Sequence, residues 1–268
     1  MKQLLVATLA LGFLVSIFDA PQAVSSSPAP TIPEPSLVVL AEPEFPVTAK
    51  AYTIIDIETG EILFAKNHTT ELPIASVTKL FTAAAVLEQS IDNVVTITAA
   101  DVATEGRSGK LAIGQRYSTH ELLFPLLLES SNDAAVALAR VVGPAKLSTD
   151  ELADPTGLSS TNRATAAELA TEVRQLYLTE PHLFDITRLS QYIGSETGWI
   201  NNSPIQQLPG YRGGKHGYTE AAGKTLAAVF SESIVGEREF GYILLGSKDL
   251  LADVTTLREG VARSIRVE

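Results

Sequence analysis

Two strand-like runs open the globular part of this chain, three close it, and the helix-like runs fall between them. Ala51–Ile57 and Glu61–Lys66 alternate as strands do and meet at Thr59-Gly60, a hairpin turn. Tyr211–Tyr218, Thr225–Ser231 and Phe240–Gly246 read as three further strands separated by Gly-rich or charged turns. Between them Ser76–Gln89, His120–Glu129, Asp133–Val142 and Ala164–Tyr177 have helical periodicity, and Asp249–Ile265 reads as a closing helix. Antiparallel pairs at both ends of a chain are most simply joined as one sheet, with the helices inserted between its halves. The expected fold is therefore mixed α/β, of the α+β kind.

The first 46 residues have a different character. Met1-Lys2 is a short positive start, and Leu4–Phe18 is a run of apolar or small residues ended by Asp19. Residues 1–25 read as a secretory signal or an uncleaved N-terminal anchor, with Ala23 and Ser25 as a weak cleavage site. A membrane span needs about 20 apolar residues, more than this run supplies. Residues 26–46 are rich in proline, which stiffens a chain toward extended forms, and read as a linker leading to a domain at 47–268. Leu37–Leu40 is an apolar patch inside it with the character of an edge strand.

Composition removes several functions. The chain has no cysteine, so disulfides, thiolate metal sites and cysteine nucleophiles are excluded. Its four histidines, His68, His120, His182 and His216, have no metal-ligand spacing, and no metal or cofactor is expected. Lys and Arg number 20 against 31 Asp and Glu, a net charge of −11, which is the wrong sign for a nucleic-acid binder. Gly223-Lys224-Thr225 mimics the end of a phosphate-binding loop, but the first glycine of that loop would fall at Tyr218. No Gly-x-Ser-x-Gly elbow occurs.

Three short patterns can carry chemistry. Ser76-Val77-Thr78-Lys79 stands at a helix start, where residues three apart share a face. A serine hydroxyl needs a base to become a nucleophile, and a lysine serves when its pKa falls toward neutrality. Ser130-Ser131-Asn132 sits at the junction of two helices, where a hydroxyl and an amide can relay a proton and hold a carbonyl. Ser160-Thr161-Asn162 fits the same tripeptide pattern in a turn-rich stretch and measures how little that pattern means alone. Gly213-Gly214-Lys215-His216-Gly217-Tyr218 lies on a strand, with glycines where another chain can come close.

Taken together and in this order, Ser76-x-x-Lys79, Ser130-x-Asn132 and Lys215-x-Gly217 resemble the motif set of penicillin-interacting serine enzymes. The flanks resemble the low-molecular-mass D-alanyl-D-alanine carboxypeptidases: Pro73-Ile74-Ala75 before Ser76, Asp133-Ala134-Ala135 after Asn132, and Tyr218-Thr219 through Ala222-Gly223. Asp154-Pro155-Thr156-Gly157-Leu158 and Asn201-Asn202 add to the likeness, which runs from about Ala51 to Gly246. The resemblance implies a β-lactamase/transpeptidase-like fold: a five-stranded antiparallel sheet flanked by helices, with a helical subdomain inserted after the second strand. It implies catalysis by Ser76, Lys79 and Ser130. Asn132, Lys215, His216, Gly217 and Tyr218 would bind substrate, and the Ser76 and Tyr218 amides would hold the oxyanion. The implied partners are a peptidoglycan stem peptide and, as inhibitors, β-lactam antibiotics, in an extracytoplasmic setting; no nucleic acid is expected, and oligomeric state is unreadable.

Four departures mark this chain. His216 replaces the usual Thr or Ser, bringing a larger group that ordinarily titrates near neutral pH. The stretch from Asn132 to Asp154 is short, which predicts a trimmed helical subdomain and an open cleft. Asp154 replaces the usual Asn before Pro155, and the sequence stops at Glu268 after the closing helix, so a membrane tether is expected only at the N-terminus. Beside the carboxypeptidase stand three alternatives: a D,D-endopeptidase or transpeptidase, a class A-like β-lactamase using Glu151 as deacylation base, and an inactive penicillin-binding scaffold.

Overall fold

The computed structural model describes residues 37–40, 44–89, 93–148, 150–233 and 236–267. The expected signal segment and most of the expected linker lie outside them. The strands of the central sheet are β1 (Ala51–Asp56), β2 (Ile62–Lys66), β3 (Tyr211–Thr219), β4 (Gly223–Glu232) and β5 (Arg238–Ser247). They lie in the order β3-β4-β5-β1-β2, every neighbour antiparallel. The two ends of the chain thus build one sheet, and β3, which carries the third motif, is left as an edge.

Alternation along the central strands splits the apolar residues into two layers. Ala51 and Ile55 of β1 face one, Tyr52 and Ile54 the other. The second layer is closed by α7 (Leu250–Ser264), which puts Leu250, Val254, Leu257 and Val261 on one face. Asp249 caps it, accepting the Ala252 amide at 3.3 Å. Phe45 packs here; a Cβ on Gly260 would lie 2.0 Å from its ring. Leu37–Val39 pairs with Ile265–Val267, not with the central sheet. So residues 37–39 and Phe45, within the proline-rich stretch, are part of the folded body.

The first layer is covered by the inserted segment: α1 (Thr78–Glu88), α2 (Ala99–Val102), α3 (Thr119–Phe124), α4 (Asn132–Val142), α5 (Ala166–Thr179) and α6 (Pro181–Arg188). Among the described residues between α4 and Asp154, the regular structure is a short hairpin pairing Lys146–Leu147 with Asp150–Glu151. The expected helix His120–Glu129 is not continuous. Pro125 has no amide to continue the ladder, and Pro125–Glu129 widens into a π-turn. Its end, Ser130, takes the left-handed conformation at φ 60°. Helix α6 and the hairpin Gln191–Ile193 with Gly198–Ile200 have no counterpart in the sequence reading. Among the described residues no helix is long and apolar enough to cross a membrane.

Candidate active site

Ser76 lies in a 3-10 turn, Ala75–Val77, that leads into α1. The turn is clamped from two sides. Ala75 holds φ 48°, and Gly157 presses on it so closely that a Cβ would come within 2.0 Å of the Ala75 carbonyl oxygen. Thr225 of β4 donates to the Ile74 carbonyl at 2.9 Å. A Cβ on Gly217 would lie 2.5 Å from the Ser76 nitrogen, so only glycine lets β3 approach the nucleophile this closely.

Lys79 is one turn on, fully buried, with its Nζ 3.1 Å from Ser76 Oγ, 2.8 Å from Asn132 Oδ1 and 2.6 Å from the Thr156 carbonyl. Burial is the main force on its pKa and brings it down to about 7; Arg107 pushes the same way, against Asp154 and Asp133. A neutral amine has two N–H bonds and one lone pair. Neither Asn132 Oδ1 nor a carbonyl can donate, so the lone pair is left for the Ser76 hydroxyl. That is the arrangement of a general base on its nucleophile.

Asn132 opens α4, and its Nδ2 donates to the Glu105 carbonyl at 2.7 Å while its backbone N–H donates to Arg107 at 2.8 Å. Ser131 caps that helix through the Ala134 amide, and buried Asp133 accepts the Gly109 amide at 2.8 Å. The second motif therefore fastens the 105–109 loop beside the site. Asn202 clasps it from behind, with Nδ2 donating to the Glu129 carbonyl at 2.7 Å.

The cleft over Ser76 measures about 190 Å³ and is lined by Ser76, Gly106, Arg107, Ser130, Asn132, Leu158, His216, Gly217 and Tyr218. The Ser130 hydroxyl faces it without a hydrogen-bond partner among the described residues. Lys215 does not line it. Its side chain is buried, donates to the His216 carbonyl at 2.7 Å, and has its pKa held well below the lysine range by burial and then by Lys79 and Arg107. His216 departs from expectation: burial first, then the charges of Lys215, Arg107 and Lys79, hold its pKa well below the ordinary imidazole value, so it stays neutral near neutral pH.

Asp154 has a positioning place. It accepts the amides of Thr156 at 2.7 Å, Gly157 at 2.8 Å and Ser159 at 2.9 Å. Burial raises its pKa, but the Thr156 hydroxyl and these amides outweigh that and hold it below the usual carboxylate range. The turn so fixed points the Thr156 carbonyl at Lys79. Asn162, from the repeated tripeptide, is buried and ties the same turn to Thr78 at 3.2 Å, a structural task. Glu151 is exposed and lines a different groove, beside α1 and α5, so it is not placed to activate water at Ser76. The residues that sequence reasoning missed are Thr156, which acts through its backbone, and Arg107, which belongs to no motif.

A serine in contact with a buried lysine, set between an antiparallel edge strand and a helical insert, is a geometry on which a serine hydrolase can build an acyl-enzyme. A family model described as D-alanyl-D-alanine carboxypeptidase matches residues 38–235. The chain belongs to that family of serine hydrolases. It is 29% identical over 199 residues to the D-alanyl-D-alanine carboxypeptidase DacB2 of Mycobacterium tuberculosis, covering 66% of this chain and 68% of that one. It is 30% identical over 177 residues to a D-alanyl-D-alanine endopeptidase of Pseudomonas aeruginosa, covering 58% of this chain and 55% of that one. In fold it is similar to the crystal structure of a D-alanyl-D-alanine carboxypeptidase from Mycobacterium tuberculosis H37Rv. The TM-score is 0.72 at 24% identity, covering 82% of this chain and 92% of the other.

Proposed function

We propose that this protein releases the terminal D-alanine from peptidoglycan stem peptides through an acyl-enzyme on Ser76. The observation that carries the reading is the buried Lys79 Nζ, 3.1 Å from Ser76 Oγ with its other two partners both acceptors. Lys79 takes the hydroxyl proton as Ser76 Oγ attacks the carbonyl between the two D-alanines. The amides of Ser76 and Tyr218 receive the oxyanion; in such sites one lost donor costs about 2.7–4 kcal/mol. Ser130 passes a proton to the leaving nitrogen as the C–N bond breaks, Asn132 holds the acyl side, and His216 on the cleft wall, with Lys215 buried behind it, serves the terminal carboxylate. Water then attacks the ester and returns Ser76. β-Lactams acylate the same serine. The substrate places the protein outside the cytoplasm, where the apolar N-terminal run of residues 1–25 would direct or tether it.

The test is intact mass after benzylpenicillin, beside D-alanine release from a pentapeptide. One adduct on the protein and none on Ser76→Ala, with D-alanine release lost in the variant, is the expected result. Release that survives Ser76→Ala overturns it, and an unreactive serine leaves a binding scaffold. A second reading, D,D-endopeptidase, is favoured by the relative of that name and by the short stretch between α4 and Asp154. Faster cleavage of a cross-linked muropeptide dimer than of the pentapeptide would replace the first reading with it.

A further inference from the structure

Arg107 is the one arginine or lysine among the residues lining the cleft, and no carboxylate lines it. Its guanidinium makes no hydrogen bond or ion pair with any described residue, in a chain with 31 acidic residues. Yet its backbone is held firmly. The Arg107 carbonyl accepts from Asn132 N at 2.8 Å, and the neighbouring Glu105 carbonyl accepts from Asn132 Nδ2 at 2.7 Å. Gly106, at φ 91°, lies so close that a Cβ would come 2.6 Å from Asn132 Nδ2. Asp133 fixes the far end of the loop through Gly109. A charge on a fixed stem, free at its tip and lining the same cleft as Ser76, is arranged for a ligand. Its field reaches Lys79, Lys215 and His216.

The ligand is anionic, and its place on the substrate follows from the walls of the cleft. Lys215 and the terminal carboxylate belong to the β3 wall. Arg107 hangs from the opposite wall, on the loop fastened to Asn132. We propose that Arg107 is a specificity-determining residue that pairs with a free carboxylate on the acyl side of the scissile bond, carried by one of the two residues that precede the D-alanines. This rests on the substrate reading given above. An Arg–carboxylate pair is planar and bidentate, so it distinguishes an acid from its amide as well as charge from no charge.

Binding to the Ser76→Ala protein separates this from turnover. The probes are acetylated tetrapeptides ending in D-Ala-D-Ala, with Glu or Gln at the residue before them, and a second pair with Glu or Gln one residue further back. In one of the two pairs the acid is expected to bind about tenfold more tightly than the amide. Adding Arg107→Gln should bring that ratio close to one, Arg107→Glu should invert it, and Arg107→Lys should keep part of it. Equal affinity for acid and amide in both pairs overturns the proposal. So does an Arg107→Gln variant that weakens acid and amide alike, since that places the guanidinium on the terminal carboxylate. D-alanine release by the protein with Ser76 intact is followed on the same peptides. Its absence would remove the carboxypeptidase reading and leave the binding comparison standing.

Discussion

Two sets of groups around the cleft are held on opposite terms. On the α1 side each group has its partners: Lys79 Nζ touches three oxygens, Asn132 uses both ends of its amide, and Asp154 collects a fan of amides. On the recognition side the Ser130 hydroxyl and the Arg107 guanidinium have no partner among the described residues, and Tyr218 is 64% exposed. Groups that must act in one geometry are over-determined by the fold. Groups proposed to meet the substrate are held by their backbones and left open at their tips. Such preorganisation is what lets an active site lower a barrier without rearranging at the moment of reaction.

The sharpest way to break this contrast is to take the base from the satisfied set. Lys79→Met keeps the length of the side chain and fills the same buried space, but has no proton acceptor for Ser76. Acylation by benzylpenicillin should fall by about 10³-fold, the scale of general-base catalysis, with the protein still folded. The same residue sets the pH dependence. Burial brings its pKa down to about 7 in the folded protein, and under the proposed mechanism the free base is the active form. Acylation should rise with pH through about 7 and level off above it. Stability should also rise with pH, from about 7 to the ordinary lysine range, because there the unfolded chain binds a proton that the folded chain does not. Thermal melts at several pH values, compared with Lys79→Met, would read that slope; a parent and variant with the same slope would mean Lys79 is charged in the fold.

A smaller effect is expected where β3 meets Ser76. Gly217→Ala alters no polar group, yet its Cβ would sit 2.5 Å from the Ser76 nitrogen and 2.8 Å from Thr225 Oγ1. β3 must then move away from the nucleophile. A displacement of about 1 Å in such a site costs on the order of 100-fold in rate. Stopped-flow acylation should show that loss while the melting temperature shifts by only a few degrees, on the order of overpacking elsewhere. Full activity in Gly217→Ala would mean that the approach of β3 to Ser76 is not what the glycine is for.

What could be read beforehand follows the same division. Strand alternation and the apolar face of α7 are dictated by period, so the sheet and its closing helix stand in the sequence. Ser76, Lys79 and Asn132 are legible because a side chain does the work at a fixed spacing. Thr156 acts through a carbonyl, which every residue has, so nothing in its identity marks it. Arg107 is positioned by Gly106 and by Asn132 and Asp133, which lie far along the chain and reach its loop only through the fold, so no local pattern links them. The break at Pro125 was visible as a proline, but its outcome, a π-turn delivering Ser130 at φ 60°, depends on how α3 packs. Helix α6 escaped because eight residues opened by Pro181 are too short a window for a helical period to stand out, although Leu183, Phe184 and Ile186 do share its buried face.

The mildest substitution tests the assignment of the base most sharply. His216 lines the cleft within the field of Lys79, and an imidazole of ordinary pKa would produce an acid limb close to that of a lysine at about 7. The two are separable because burial first, and then the neighbouring Lys215, Arg107 and Lys79, hold His216 well below its ordinary value. His216→Thr exchanges a neutral ring for a smaller hydroxyl. KM for a D-Ala-D-Ala peptide should change by no more than about tenfold, the range of a single uncharged hydrogen bond. The limb at about 7 in kcat/KM should remain where it is. A limb that moves or disappears in His216→Thr would assign the titration to the imidazole, and with it the role of base proposed for the buried Lys79.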